Sequence, residues 1–184
     1  CTPDLLPADI TGTNIWNPSS GQFQIMPGPV FAHVLLADEI NRATPRTQSA
    51  LLEVMEEHQV TLDGVSRPVA APFFVIATQN PVEYQGTFPL PEAQMDRFAL
   101  SFSLGYPDEA EEGKMLDRLT TGTRPQDLPP CITPEEVASI QATCAAVRVE
   151  ESVKQYILSL VRATREHVDI TLGVSPRGSV AFYR

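Results

Sequence analysis

The chain is poor in cysteine, histidine, basic residues and long apolar runs, and each shortage removes a class of function. Cysteine occurs only at Cys1, Cys131 and Cys144, too few and too scattered for a disulfide framework or a zinc knuckle. His33, His58 and His167 show no ligand spacing with one another or with cysteine, so reduced thiols and ordinary histidines in a cytoplasmic protein are the expectation. Lysine and arginine total 13 against 23 acidic residues, a formal net charge of −10, and the isoelectric point is about 4.7. A broad nucleic-acid contact gathers basic residues on one face. Nucleic acid is therefore not expected as a partner, although a local anion site stays open. No apolar run approaches the length of a membrane span, and nothing resembles a secretory leader.

What is present is a globular composition: 184 residues, 42% hydrophobic and 20% charged, enough for one cored domain or for one domain and a small second one. The 17 prolines sit mostly at segment borders, including Pro45, Pro72, Pro107, Pro134 and Pro176, and punctuate elements instead of marking a flexible linker. The chain opens on Cys1, not Met, and stops at Arg184 inside an apparent helix. It reads as a piece cut at both ends.

The run Val34-Leu35-Leu36-Ala37 predicts a strand buried on both faces, and it ends in two adjacent carboxylates, Asp38 and Glu39. Phe73 to Thr78 predicts a second buried strand, closed by Gln79-Asn80-Pro81, and Ala99 to Leu104 a third, alternating one. Hairpins are expected over Ile15–Met26 and over Gln59–Arg67, the latter around Asp63-Gly64. Thr44 caps a helix with Pro45 at its first position. Its stripe is Leu51, Leu52, Val54 and Met55. Glu56 and Glu57 fall near its end, where carboxylates are unfavourable to the helix dipole. Pro89 to Phe98 predicts a short helix or turn, and Glu109 to Leu119 a helix. Thr120 to Pro130 is a polar connector and the expected domain boundary. Thr133-Pro134-Glu135-Glu136 forms a capping box, and helices follow through Val137–Val147, Val153–Thr164 and from Ser175-Pro176. Strands and helices followed by helices alone imply an α/β domain with a small helical one appended.

Acids at the carboxyl end of a parallel strand lie where open α/β sheets bind ligands. Asp38 and Glu39 there suit nucleotide hydrolysis, one helping to hold magnesium and the other orienting a water. An Asn such as Asn80 at the end of the second strand both donates and accepts, and can position that water. Solvated strand ends and a plain turn at Asn80-Pro81 are the competing expectations.

Several segments together resemble the MoxR family of AAA+ ATPases: Leu35-Leu36-Ala37-Asp38-Glu39-Ile40-Asn41-Arg42-Ala43, Ala77-Thr78-Gln79-Asn80-Pro81, Pro89-Leu90-Pro91-Glu92-Ala93-Gln94-Met95-Asp96-Arg97-Phe98 and Gly173-Val174-Ser175-Pro176-Arg177. Thr2-Pro3-Asp4-Leu5-Leu6-Pro7 and Ile10-Thr11-Gly12 are similar to the stretch before that family's helix-2 insertion. The resemblance implies a P-loop NTPase AAA+ core, a parallel sheet between helices with its N-terminal part missing, over residues 1–119. A small all-α lid begins in residues 131–184. It implies ATP and Mg2+ as cofactors, with Asp38 on the magnesium shell, Glu39 polarising the attacking water and Asn80 as sensor 1. Arg97 matches an arginine finger offered to the neighbouring subunit, with Arg42 as a rival for that contact and Glu92 as a competing partner for Arg97. Arg177 matches sensor 2; an Arg at a helix start opposes the dipole, which a bound phosphate would offset.

The family's phosphate loop, G-x-x-x-x-G-K-[ST], is absent from the sequence. Truncation is the simplest expectation, in which case this piece alone binds ATP weakly, is inactive and is marginally stable. The other is a chain that lacks the loop and serves as a non-hydrolysing regulatory or scaffold module. With the loop supplied elsewhere, the resemblance implies an ATPase in a homo-oligomeric, hexameric ring that remodels or matures protein complexes, with protein clients and von Willebrand factor A-type partners. The two hairpins are the expected client contacts.

Overall fold

The computed structural model describes residues 1–80, 86–121 and 128–184. Its elements run α1 (Pro7–Thr11), β1 (Gly12–Asn17), β2 (Gln22–Pro27), β3 (Val34–Ala37), α2 (Pro45–Glu57), β4 (Gln59–Leu62), β5 (Val65–Pro68), β6 (Phe74–Ala77), α3 (Glu92–Met95), α4 (Glu109–Thr121), α5 (Pro134–Ala145), α6 (Glu151–Glu166) and α7 (Pro176–Tyr183), with single 3-10 turns at Pro29–Phe31 and Ile40–Arg42.

Both expected hairpins form. β1 pairs antiparallel with β2, and Trp16 stands opposite Phe23 with their rings edge to face at 5.2 Å. The base of this hairpin tolerates only glycine: Gly12 has φ +88°, and a side chain on Gly28 would overlap the Ile10 carbonyl. β4 pairs with β5 across Asp63 (φ 49°) and Gly64 (φ 78°), the two left-handed residues of a type I′ turn. Asn14 on the first hairpin bonds the Asp63 side chain on the second.

β3 and β6 run parallel in register, Val34 opposite Phe74 and Ala37 opposite Ala77. Leu35 and Val75 pack inward against a cluster that includes Val30, Ile40, Leu51, Leu52 and Val54. The outward face is not buried, which corrects the expectation of strands covered on both sides: Val34, Leu36, Phe74 and Ile76 are 59%, 62%, 62% and 46% exposed. An apolar run states what a strand can bury; a second layer has to exist to bury it, and among the described residues only one face has it. Ala99–Leu104 is likewise no strand. Leu100, Phe102 and Leu104 alternate as expected but stay exposed and join no ladder among the described residues, since alternation without a partner fixes no pairing.

The helix signals hold. Thr44 Oγ1 accepts from the Thr47 amide at α2, Thr133 and Glu136 complete the capping box of α5, and Ser175 accepts from the Gly178 amide at α7. The one-turn α1 was not anticipated. Residues 122–127 of the expected connector lie outside the described residues. The molecule exposes 14264 Å², whereas a folded monomer of 20.2 kDa exposes about 8,800 Å². No helix among the described residues is long and apolar enough to cross a membrane.

Candidate active site

The parallel ladder continues past both strand ends and brings the polar residues together. Thr78 N donates to the Ala37 carbonyl at 3.1 Å and Ile40 N to the Thr78 carbonyl at 2.9 Å. Between them the Thr78 hydroxyl donates to Asp38 Oδ1 at 2.6 Å and accepts from the Glu39 amide at 2.8 Å. Glu39 takes a left-handed conformation, φ 50° and ψ 53°, a geometry that costs a non-glycine residue about 1 kcal/mol and clusters at functional sites. That turn separates the two adjacent acids and aims Glu39 at the second strand.

Asn80 Nδ2 then donates to Glu39 Oε1 at 3.2 Å, and Arg42 Nη1 donates to Glu39 Oε2 at 3.2 Å. The bond from Asn80 and then the bond and charge of Arg42 hold the Glu39 carboxyl below its ordinary range, against desolvation and the nearby Asp38. A carboxylate held ionised this way suits orienting a water more than keeping its proton. Arg42, the rival for a subunit-crossing contact, is thus bonded to Glu39 within its own chain. Pro81, expected in the turn after Asn80, lies outside the described residues.

Three supports escaped the sequence reading. Thr78 is the link between Asp38 and the Glu39 amide. Asn41, buried, donates to the Asn80 carbonyl at 3.0 Å and accepts from its amide at 3.3 Å, fixing the end of the second strand by its backbone. Gln48, also buried, places Nε2 at 3.2, 3.1 and 2.8 Å from the carbonyls of Ile40, Ala43 and Phe88. For Gln48 the available signal was a polar residue on the buried stripe of α2, because a buried amide has to find partners.

Arg97 and Arg177 do not join this group. They meet at Glu56, near the far end of α2. Arg97 Nε lies 3.1 Å from Glu56 Oε2, Arg177 Nη2 donates to Glu56 Oε1, and Arg177 Nη1 stands 3.9 Å from Asp96. Ser175 Oγ donates to the same Asp96 at 2.7 Å. From Pro45 to Glu56 the helix advances roughly 16 Å, so the arginines are gathered well away from Asp38, Glu39 and Asn80. Glu92 is not the ion-pair partner of Arg97, and the dipole penalty on Arg177 is met by Glu56 and Asp96 instead of requiring a phosphate. The misplaced charge of Glu56 at a helix C-terminus was the sequence's one pointer to this cluster.

A two-stranded parallel sheet with acids and an amide at its carboxyl edge presents them where α/β folds bind their ligands. Residues 1–100 match the family model described as "ATPase family associated with various cellular activities (AAA)". The YeaC protein of Bacillus subtilis is 50% identical over 183 residues, 100% of this chain and 57% of that protein. Chaperone MoxR1 of Mycobacterium tuberculosis is 40% identical over 188 residues, covering 97% of this chain and 49% of that protein. A crystal structure of a proposed ATPase from Cytophaga hutchinsonii superposes with a TM-score of 0.87 at 40% identity over 99% of this chain and 58% of that one. The chain belongs to the AAA family of ATPases. Within it, the relatives place it in the MoxR family. It spans about half the length of the curated relatives it matches.

Proposed function

We propose that this chain supplies the acidic, water-positioning half of an ATP-hydrolysing site in a ring-forming, chaperone-like protein that remodels or matures other protein complexes. The observation that carries this is the Glu39 carboxylate, held between Asn80 Nδ2 and Arg42 Nη1 beside Asp38. Asp38 is a hard oxygen donor standing apart from any group of three or more possible metal ligands among the described residues. That suits Mg2+, which keeps waters and binds through one or two carboxylates plus substrate phosphates and not in a protein cage. When bound, the ion would neutralise charge on the phosphate oxygens. The chain's own contribution is positional: Asn80 and Glu39 fix a water in line, Arg42 keeps Glu39 ionised, and Thr78 sets Asp38.

Arg97 is assigned to the nucleotide of an adjoining protomer, since within its own chain α2 separates it from Glu39. Arg177 is assigned to a phosphate as well, as sensor 2. Such sharing needs a homo-oligomeric ring, for which the family resemblance implies a hexamer, and we assign the exposed hairpins around Trp16 and Asp63 to protein clients, with von Willebrand factor A-type partners among those the resemblance implies. Residues 1–119 are assigned to the ATPase core and 131–184 to the start of its lid. Glu39→Gln in the full-length protein is expected to retain ATP and to lose turnover by about a hundredfold or more. Turnover within twofold of wild type would remove the assignment.

A further inference from the structure

Glu56 holds two arginines that lie 80 residues apart along the chain, and it approaches Arg97 at the Nε edge alone. Its Oε2 approaches Arg97 at Nε. The Nη1/Nη2 end of Arg97 makes no hydrogen bond among the described residues, and the side chain is 30% exposed. Glu56 Oε1 takes Arg177, and Asp96 stands behind Arg177 while accepting from Ser175 at the cap of α7. A guanidinium bound by its Nε edge keeps the planar two-nitrogen fork that matches phosphate oxygens. The hollow beside this cluster, about 550 Å³, is lined by Glu53, Glu56, Glu57, Gln94 and Arg97. Its acidic wall disfavours a phosphate inside it, so the anion that meets Arg97 has to approach from outside.

We infer that Glu56 is a positioning residue, which sets Arg97 and Arg177 side by side with the Arg97 fork turned outward toward a polyphosphate carried by an adjoining copy of the protein. The role rests on the assignment of Arg97 proposed above. Two long cationic side chains otherwise repel one another and lose rotamer freedom on binding. One carboxylate between them offsets the repulsion and restricts both side chains before the phosphate arrives.

The test uses full-length protein. Glu56→Gln keeps the size and removes the charge; it is expected to lower kcat about tenfold with KM for ATP within twofold, because the interaction it serves is made in the transition state. Glu56→Asp is expected to restore part of kcat. Mixing Glu56→Gln subunits with Glu39→Gln subunits is expected to raise turnover above either alone, since each Glu39→Gln subunit brings an intact arginine pair to its neighbour's working site. A wild-type kcat for Glu56→Gln while Arg97→Ala loses turnover overturns the role of Glu56. So does a low kcat that neither mixing nor aspartate recovers, which marks a structural effect. Unchanged turnover in Arg97→Ala overturns the underlying assignment instead. If Glu56→Gln fails to assemble, Glu56→Asp carries the same mixing test, and an unreduced kcat there counts against Glu56.

Discussion

Residues 1–98 and 99–184 are built by the same local rules and end in different physical states. Every described buried residue except Val161 lies in the first region. The second contains four helices, α4 to α7, of which α4, α5 and α7 carry side-chain bonds at their N-termini, yet α5 buries none of its residues and α6 buries only Val161. A cap and a 3.6-residue period are satisfied within one or two turns of chain. A core requires a second layer arriving from elsewhere in the sequence. Helix content and burial therefore separate along this molecule.

The largest test of that contrast sets Leu52 in α2, fully buried, against Ile140 in α5, which is 53% exposed. Leu52→Ala removes contacts from the cluster under β3 and β6 and is expected to cost about 2–5 kcal/mol in a urea titration followed by circular dichroism. Ile140→Ala is expected to stay within about 0.5 kcal/mol. Equal losses at the two positions would show that α5 is packed as firmly as α2 and would end the distinction.

A smaller effect tests the tail alone. Thr133→Ala removes the capping box in which Thr133 accepts from the Glu136 amide at 3.2 Å and its own amide donates to Glu136 at 2.8 Å. The expected loss is about 1 kcal/mol, confined to α5. Native-state hydrogen exchange should accelerate several-fold at α5 amides and remain unchanged at α2, because the two regions open separately. Acceleration at both would mean that they unfold as one unit.

The same division explains what could be read from the sequence. The caps at Thr44, Thr133 and Ser175 and the Asp63-Gly64 turn were legible, since each is decided by neighbours within four residues. The approach of Asp38, Glu39 and Asn80 was legible at one remove, because two apolar runs ending in polar residues align those ends once the strands pair in parallel. The exposed outer face of β3 and β6 was not legible, because it depends on how many layers surround a strand, and alternation cannot count them. The meeting of Arg177 with Glu56 spans 121 residues and joins α7 to α2, and no periodicity encodes it.

The smallest expected effect separates the regions by their acids. Glu39 and Glu151 both have carboxyls lowered from the ordinary 4.5. Glu39 owes this first to Asn80 on the second strand and then to Arg42. Glu151 owes it to Gln155 and Lys154, at 2.7 and 3.2 Å one turn along the same helix. Each contributes stability that is present above the unfolded value and is lost as pH falls through the lowered folded one, so the relevant window lies below 4.5. Carboxyl NMR titration of Glu39 should move back toward 4.5 in Asn80→Ala, and again in Leu52→Ala, where the β3–β6 register is weakened. Glu151 should not respond to either change, because its partners need only α6. High salt should reach both Lys154 and Arg42 but leave the Asn80 share, which comes from a neutral amide. A Glu151 midpoint that follows Leu52→Ala would place α6 inside the cooperative core and make the exposed helices part of one folding unit.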